Sequence, residues 1–537
     1  SYPWYRIVPP AVSSTASAPW IPEKSQTFIT VKSRYLLLVV GLTLVHAIGA
    51  ALAPVSGDEA YYWDCSRHLD WSYFDQPPLT IWLMIPFRLL LGETALAVRT
   101  PAILAGFLAG LFLLPLVQRL GGTVRDAALV YLLLHAQPIF ALGFSYTSTD
   151  VVMGTAYLGA IWAAVAVAQS HRRAWWGLGV ALGLGFLAKF SIVVAFLPVA
   201  MALLSPKARA DLKTTTPWAA ALVSALLTAP VWIWGAQHNW DNIVFQLSGR
   251  HSPEGIGLKY LLEFIGANLL LASPILAVLL VGSCWPAWKR KDLAWRVVVA
   301  GAVAPFLFFG LVALRARVGA HWGGPGLMMM TVLLVLTGFG GLRFRKIGAI
   351  VGFSVTGLVL VLALLAPFLL NYEWEYKPRP EKISSEKLVR AFGTQKLVDG
   401  VRQRRDQWAR EIGVPPESIY VGSESYTKTH LAAFVSSGGL ESRFLHIKGG
   451  KHGLASLYWY PPEDFEGRQI LFFTENPGQE EELRKLFRRV EIELPLVVTI
   501  GEAGQRTLIV ARCEDPLNPR PFLTRLAGST ARDKSLL

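Results

Sequence analysis

Long apolar runs alternate with short polar loops through the first 370 residues of this 537-residue chain. A helix needs about 20 apolar residues to cross about 30 Å of hydrocarbon, and fewer where it is short or re-entrant. The pattern predicts a polytopic α-helical membrane protein of about 11 transmembrane helices. The predicted spans are 35–53, 98–119, 127–146, 151–169, 175–189, 191–205, 217–236, 259–282, 294–314, 323–341 and 347–370.

The run at 78–92 is ambiguous because it is short, begins at a Pro-Pro pair and contains Pro86 and Arg88. Loop charge decides its interpretation, since Lys and Arg accumulate on the cytoplasmic side of a membrane. If this run does not cross, all the strongly basic loops fall on that side, namely Arg119 with Arg125, 171–173, 207–213, 289–291 and 343–346. We therefore predict a juxtamembrane segment.

When the predicted spans cross alternately and 78–92 does not cross, several polar segments fall on the opposite, outer face. These are the Asp58-Glu59 pair, Asp150, the loop 237–257, the turn 315–322 and the C-terminal portion. Such a convergence of polar groups on one face is typical of an active site.

Three regions are predicted along the chain. Residues 1–34, which begin with a Pro-, Ser- and Ala-rich stretch, form a flexible cytoplasmic leader, 35–371 form the transmembrane domain with a first outer loop at 54–97, and 372–537 form a small outer α/β domain. Within the last region, the pattern predicts an amphipathic helix at 381–411 and β-rich runs at 418–422, 443–447, 469–474, 490–498 and 506–511. Its glycines lack dinucleotide-binding spacing, so no Rossmann cofactor site is predicted.

Composition supports a polytopic membrane protein. The chain is 53% hydrophobic and 16% charged, with a mean hydropathy of +0.40, which excludes an ordinary soluble multidomain protein. The formal charge of +14 is explained by the basic loops, so nucleic acid is not a predicted partner. Cys65, Cys284 and Cys513 are odd in number and have no metal-type spacing.

The segment after the first predicted span is the richest in candidate chemistry. It carries adjacent carboxylates at Asp58 and Glu59, aromatics that include Tyr61 and Tyr62, and a third carboxylate at Asp75. Neighbouring helical residues point about 100° apart, so only one of the first two acids can face a shared substrate. We choose Asp58, nearest the span, as a general base. The alternative is that Asp58 caps a helix beginning at Glu59.

Asp150 opens another apolar run on the same predicted face. Two outer carboxylates could orient a sugar, share a proton or hold a divalent cation. A simple capping role for Asp150 is the alternative.

Lys189 lies in a strongly apolar stretch between two short predicted helices. A lysine there needs a partner or a route to water, and an anionic lipid phosphate would suit it. The alternative is a side chain that snorkels to the membrane interface.

Two outer clusters combine aromatic and basic residues. In the first, Arg250 has the forked donors that grip phosphate, and His251 follows it. The second contains Arg315, Arg317, His321 and Trp322. Interfacial anchoring is the alternative for both clusters. Metal ligation by His251 or His321 is the weaker hypothesis, because neither lies in a paired metal-binding motif.

These residues carry a resemblance to a known family. The motifs are Gly57-Asp58-Glu59-Ala60-Tyr61-Tyr62-Trp63, Tyr73-Phe74-Asp75-Gln76-Pro77-Pro78-Leu79, Thr149-Asp150, Leu187-Ala188-Lys189-Phe190, Asn239-Trp240 with Arg250, and Ala320-His321-Trp322 before Gly323-Gly324-Pro325. The chain resembles the bacterial branch of GT-C glycosyltransferases, the relatives of dolichyl-phosphate-mannose protein mannosyltransferases and of the lipid A aminoarabinose transferase. The likeness covers the membrane portion well and the C-terminal region loosely.

The resemblance implies a multi-pass enzyme of the bacterial inner membrane with a periplasmic C-terminal domain. It would move a sugar from a polyprenyl-phosphate donor to a lipid, glycan or protein acceptor on the periplasmic side, with inversion. Asp58 would be the catalytic carboxylate, Asp150 the second acid, and Lys189 and Arg250 contacts to the donor phosphate. The substrate cavity would be lined by Glu59, Tyr61, Tyr62, Asp75, Gln76, His251, His321 and Trp322.

One position departs from the family pattern. Many relatives carry Lys or His where this chain has Gln76, and Gln supplies hydrogen bonds but no charge. A phosphate or metal role is therefore not carried over to that position. No nicotinamide, flavin or nucleotide is implied, and a divalent cation stays open.

Two other classes of function compete with this hypothesis. A transporter or flippase of lipid-linked sugars would also need many spans and Lys189, but transporters commonly show paired internal repeats, and the sequence shows none clearly. A non-catalytic assembly subunit is disfavoured by the acids and bases predicted on one face.

Overall fold

The structure, a computed structural model, describes residues 23–249, 255–369, 394–447, 452–460, 462–499 and 505–517. The α-helices up to residue 369 are α1 (Glu23–Leu52), α2 (Gly57–Arg67), α3 (Leu79–Leu91), α4 (Ala95–Arg119), α5 (Val124–His135), α6 (Pro138–Gly143), α7 (Thr149–Ala168), α8 (Ala174–Ala188), α9 (Phe196–Ala202), α10 (Pro206–Asp211), α11 (Thr215–Gln237), α12 (Asp241–Val244), α13 (Lys259–Leu271), α14 (Pro274–Trp288), α15 (Leu293–Ala313), α16 (Gly324–Thr337) and α17 (Gly341–Leu369).

The apolar helices confirm the predicted polytopic membrane fold. Among the described residues, seven helices are long and apolar enough to cross a bilayer, and shorter apolar helices, including α3 and α8, pack among them. The seven lie in α1, α4, α7, α11, α15, the segment Ala320–Thr337 and α17. Helix α3 has 13 residues, about 20 Å at 1.5 Å per residue, which is shorter than the hydrocarbon layer.

Two predicted spans are broken in the structure. The run 259–282 was expected to be one helix, but α13 and α14 meet at a 105° bend where Ser273 has φ +65° and Pro274 opens the second helix. The run 127–146 is divided between α5 and α6, with Pro138 at the start of α6. Proline lacks an N–H and disfavours helical backbone in the preceding residue, so apolar continuity does not guarantee a continuous helix.

Two boundaries at the chain ends also differ from the prediction. Helix α1 already begins at Glu23, so residues 23–34 are helical and only 1–22 of the predicted leader lie outside the described residues. The amphipathic helix expected at 381–411 is observed as α18 (Thr394–Ile412), and 370–393 lie outside the described residues.

The C-terminal region forms a mixed sheet. Its remaining helices are α19 (Tyr426–Val435) and α20 (Glu480–Leu486), and its strands are β1 (Tyr420–Ser423), β2 (Ser442–Phe444), β3 (Ile470–Thr474), β4 (Phe487–Ile492), β5 (Leu496–Thr499) and β6 (Gln505–Pro516). The strand order is β2-β1-β3-β6-β4, with β5 paired to the first half of β6. Strand β1 runs parallel to β2 and β3, whereas β6 is antiparallel to its neighbours.

Alternation along the central strands gives the sheet two apolar faces. In β3, Leu471 and Phe473 pack on one side with Trp408 of α18. Phe472 points to the other side, into a cluster that includes Phe74 and Trp234 from the membrane portion. The sheet is therefore docked on the first outer loop and the end of α11 through shared aromatic packing.

A buried ion pair holds α2 against the membrane helices. Arg99 of α4 donates to both carboxylate oxygens of Glu59 at 2.8 Å. The same guanidinium donates to the carbonyls of Ala50, Ala53 and Pro54 at the end of α1 at 2.7–2.8 Å. Both side chains are almost fully buried. One guanidinium therefore fixes the geometry at which α1, α2 and α4 meet.

We expect Arg99→Ala to destabilise the protein by about 3–5 kcal/mol, because it leaves the Glu59 carboxylate buried and uncompensated. Unfolding of the purified protein in detergent measures this. Lys485→Ala, which removes an exposed pair with Glu482, is the matched control and should change stability little. Equal stability losses in the two variants would contradict the structural role of Arg99.

Candidate active site

The first turn of α2 presents Asp58 without using it as a cap. Ser56 is the N-cap and accepts a hydrogen bond from the Glu59 N–H, while the Glu59 carboxylate accepts from the Ser56 N–H. This capping box satisfies the helix terminus. The alternative in which Asp58 caps a helix beginning at Glu59 is therefore wrong. The exposed Asp58 carboxylate instead accepts a 2.5 Å hydrogen bond from the Tyr426 hydroxyl of α19.

Asp150, in the first turn of α7, lies in a charge cluster. Lys189 Nζ donates to its two carboxylate oxygens at 2.7 and 2.6 Å, and His321 Nε2 lies 3.2 Å from Oδ2. The N-cap of α7 is Ser148, so Asp150 is not a simple cap. The Lys189 ammonium also lies 4.8 Å from the ring centroid of Trp322. Lys189 is thus held by a carboxylate and an aromatic face rather than extended to the membrane surface.

Asp75 is buried and joins the outer loop to the C-terminal region. Its Oδ1 accepts from the Tyr61 hydroxyl at 2.7 Å, and its Oδ2 accepts from the Gly453 N–H at 3.0 Å. The neighbouring Gln76 is buried, and within the described residues its Nε2 has no hydrogen-bond partner.

Three carboxylates lie close to the Tyr62 hydroxyl. Burial raises the pKa of its hydroxyl well above the usual value, and the charges of Asp58, Asp150 and Asp75 raise it further. The hydroxyl therefore stays protonated among the acids and can donate a hydrogen bond.

These groups line one cavity of about 1310 Å³. Its polar lining includes Asp58, Tyr61, Tyr62, Asp75, Gln76, Asp150, Lys189, Arg317, His321, Trp322, Tyr426 and His452. Its apolar wall comes from α6, α13 and α16, including Phe140, Leu142, Phe144, Leu262, Leu270, Leu271 and Met328. The cavity can therefore accommodate a ligand with a charged head and an apolar tail.

One predicted cavity residue lies elsewhere. Glu59 was expected to line the cavity, but it is fully buried beneath the site in its pair with Arg99. Its position in the helix, one residue after Asp58, turns it toward α4. Arg250 and His251 lie outside the described residues.

The C-terminal region supplies site residues that the sequence did not indicate. Tyr426, His452 and Gly453 line the cavity although they lie more than 100 residues beyond the other polar lining residues. The Asp64–His430 pair between α2 and α19, at 2.8 Å and almost fully buried, was also missed. No spacing in the sequence links residues so far apart, and the signal exists only in the folded chain.

The site does not fit a divalent cation on Asp150. Both oxygens of that carboxylate already accept from Lys189. Among the described residues there is no group of three or more His, Cys, Asp or Glu side chains arranged to hold a metal ion.

Comparison with known proteins gives consistent matches. Residues 75–234, which include Asp75, Asp150 and Lys189, match the family model of dolichyl-phosphate-mannose-protein mannosyltransferase. The lipid A galacturonosyltransferase RgtD of Rhizobium johnstonii is 28% identical over 62% of this chain and 70% of its own length. The undecaprenyl phosphate-alpha-4-amino-4-deoxy-L-arabinose arabinosyl transferase 2 of Proteus mirabilis is 24% identical over 58% of this chain and 60% of its own.

A related arabinosyl transferase 1 of Sodalis glossinidius is 31% identical over 51% of this chain and 54% of its own length. The matches to the two arabinosyl transferases thus span less than two thirds of those proteins. The crystal structure of ArnT from Cupriavidus metallidurans bound to undecaprenyl phosphate has a TM-score of 0.62 at 15% identity and covers 89% of this chain and 98% of that one, which shows a shared fold.

The fold is that of a polytopic membrane protein, and the matched relatives are glycosyltransferases. These matches support a bacterial GT-C glycosyltransferase, as the sequence motifs predicted. They favour this enzyme class over a transporter or an assembly subunit.

The buried Asp64–His430 pair predicts a pH-dependent stability. Burial alone would raise the pKa of Asp64, but the hydrogen bond and charge of His430, with the charges of His68 and Arg67, hold the pKa below its usual value. A carboxyl with a lowered folded-state pKa stabilises the fold above its unfolded pKa of about 3.9, and the contribution is lost as pH falls through the lower folded value. Asp64→Asn should therefore lower Tm at pH 7, with the deficit against wild type shrinking below about pH 4. Glu480→Gln, on the exposed start of α20, is the control. A deficit of constant size across this range would exclude the linkage.

The Asp150–Lys189 pair predicts non-additive stability changes. Asp150→Asn and Lys189→Met should each destabilise the protein, because each removes one member of the ion pair and leaves the other charge less compensated. In the double variant the losses should fall short of the sum, with a coupling of about 0.5–3 kcal/mol. A double-mutant cycle of unfolding free energies in detergent measures the coupling, and strict additivity would show that the two charges do not interact.

Proposed function

We propose that the enzyme transfers a sugar from a polyprenyl-phosphate donor to an envelope acceptor, by inverting displacement with Asp58 as the base. The observation that carries this proposal is that Asp58, Asp150 and Lys189, from three different helices or their ends, line one cavity with an apolar wall. A set of acids and a cation beside an apolar surface suits a lipid-linked anionic substrate better than a soluble sugar nucleotide.

Basic side chains at the cavity would contact the donor phosphate. Lys189, Arg317 and His321 line it, and Lys189 is oriented by Asp150. An ammonium oriented by a carboxylate can also attract a nearby ligand phosphate through its charge. Asp150 thereby acts as the second acid of the site by holding the cation in place. Arg250 is proposed as a further phosphate contact on its motif alone.

The apolar wall would contact the lipid part of the donor. Helices α6, α13 and α16 carry leucine, phenylalanine and methionine side chains that would contact a polyprenyl chain near its phosphate. The 105° bend between α13 and α14 changes the direction of this wall. Burial of the chain there would fix the phosphate relative to Asp58, so that the reacting atoms meet in one orientation.

The reaction follows from this arrangement. The oxygen of an acceptor hydroxyl attacks the anomeric carbon as Asp58 takes its proton, and the bond between that carbon and the phosphate oxygen breaks. The electron pair leaves with the polyprenyl phosphate, whose charge is stabilised by Lys189 and the neighbouring cations. An amine acceptor would follow the same course. No metal ion takes part in this scheme.

The relatives suggest the substrates. Their names specify lipid A as an acceptor in one case and an undecaprenyl-phosphate aminoarabinose donor in others. We infer an undecaprenyl-phosphate sugar as donor and lipid A or a related envelope lipid as acceptor. Gln76 would contact the donor as a neutral hydrogen-bond donor at the position where many relatives carry a cation.

The proposed location is the bacterial inner membrane, with the cavity and the C-terminal sheet in the periplasm. Basic loops between the apolar segments support this orientation, since all of them fall on the cytoplasmic side when the 11 spans predicted from the sequence cross and the segment of α3 does not. The domain division at 35–371 and 372–537 is retained as part of this proposal.

We expect Asp58→Asn to lower kcat for release of free undecaprenyl phosphate by about 10²–10⁴-fold, because the amide cannot take the acceptor proton. The assay uses the purified full chain, undecaprenyl-phosphate aminoarabinose or undecaprenyl-phosphate galacturonic acid, and lipid A. Glu480→Gln serves as the control carboxylate change away from the cavity. Undiminished release by Asp58→Asn would remove Asp58 from the role of base, and movement of the donor across vesicles without release would contradict a transferase reaction.

A further inference from the structure

Asp58 has one oxygen engaged by a residue from the far end of the chain. Tyr426 Oη donates to Asp58 Oδ1 at 2.5 Å, across 368 residues of sequence. Among the described residues, Tyr426 is the side chain that donates a hydrogen bond to the Asp58 carboxylate. Asp58 is not needed to cap α2, because Ser56 and Glu59 form the capping box.

The tyrosine reaches this position because α2 and α19 begin at the same place. A side-chain carbon added to Gly57 would overlap Cβ of Thr427, so the two helix starts are in direct contact. The Asp64–His430 pair ties the same two helices one to two turns further along. The distance between the two backbones is therefore set by packing on both sides of the Asp58–Tyr426 bond.

The tyrosine ring is also held in place. Gly453 has φ +74°, and a side-chain carbon there would overlap the Tyr426 ring, so the ring lies directly on the glycine backbone. The Tyr61 ring contacts it edge to face, with ring centroids 5.7 Å apart. The Gly453 N–H in turn donates to Asp75, which anchors this segment to the outer loop. The hydroxyl is thus aimed by contacts on several sides of the ring.

A hydroxyl so placed remains a donor. Burial raises the pKa of Tyr426 well above its usual value, and the charge and hydrogen bond of Asp58 raise it further. The phenol therefore keeps its proton, and the hydroxyl stays available as a donor to the Asp58 carboxylate.

We propose that Tyr426 is a positioning residue that the C-terminal sheet region contributes to the reaction. By occupying Oδ1 it orients the carboxylate so that Oδ2 faces the acceptor hydroxyl. This inference rests on the proposed role of Asp58 as base. It makes the C-terminal region part of the active site, in addition to its contact with the membrane portion.

Several other ionisable groups surround Asp58 and its tyrosine partner. Tyr62 lies on the same helix, Tyr146 comes from the segment before α7, and Glu59 lies below in its pair with Arg99. Asp75 and Asp150 act on the neighbouring tyrosines, and His452 lies beside the Tyr426 ring at a centroid distance of 6.5 Å. The test therefore compares variants that differ by one hydroxyl, with all these groups unchanged.

The test compares kcat with KM in Tyr426→Phe, measured as release of undecaprenyl phosphate by the full chain. Hydrogen bonds to charged groups contribute the equivalent of about a tenfold effect or more. We expect kcat to fall by about tenfold with KM for the donor little changed, because the Asp58 carboxylate loses the contact that orients it toward the acceptor. Tyr420→Phe is the matched control, since it removes a 2.7 Å bond to Asp464 within the sheet region and away from the cavity.

A double variant separates positioning from general damage. If Tyr426 acts through Asp58, then Tyr426→Phe should lower the activity of Asp58→Asn little further. An unchanged kcat for Tyr426→Phe, a loss confined to KM, or a loss of activity matched by Tyr420→Phe and explained by lower Tm would overturn the inference. If Asp58→Asn itself remains fully active, the proposed base fails first, and that result is distinguishable from the failure of Tyr426.

Discussion

The guanidinium of Arg99 is the contact on which the site geometry depends. It joins the Glu59 carboxylate to the carbonyls at the end of α1, so that three helices meet around one buried cation. A charge at this depth is tolerated because its donors are directed at oxygen acceptors. Glu59 completes the capping box at the same time. The adjacent Asp58 is left facing the cavity, with its direction fixed by its helical neighbour.

The second constraint is the docking of the sheet on the membrane portion. One face of the sheet packs with Phe74 and Trp234, and a tryptophan N–H from α11 donates to Asp70 of the outer loop at 2.8 Å. Tyr458 packs against both of these aromatics and donates to Asp241. These contacts combine apolar burial with directed hydrogen bonds, so they fix both the distance and the orientation of the sheet. The cavity lies where the two parts meet, and each contributes to its lining.

Charge within the cavity is distributed unevenly. Asp150 is balanced by Lys189 and His321, whereas Asp58 meets a neutral hydroxyl and stays exposed. Two acids of the same chemical type therefore have different surroundings: one belongs to an ion cluster, and the other lies exposed at the cavity beside a neutral hydroxyl. Such a division of roles between carboxylates follows from their partners rather than from their own chemistry.

The sequence by itself determined the membrane class, most of the span positions and the strands of the C-terminal sheet. It also determined the cavity acids Asp58, Asp75 and Asp150. These features follow from hydrophobic runs, alternation and short motifs, which are local properties of the chain. The sequence did not determine the break between α13 and α14, the burial of Glu59 by Arg99, or the arrival of Tyr426 at Asp58. Those features join residues that are far apart along the chain. Their pairing is decided by how helices pack in three dimensions, and no periodicity in one dimension encodes it.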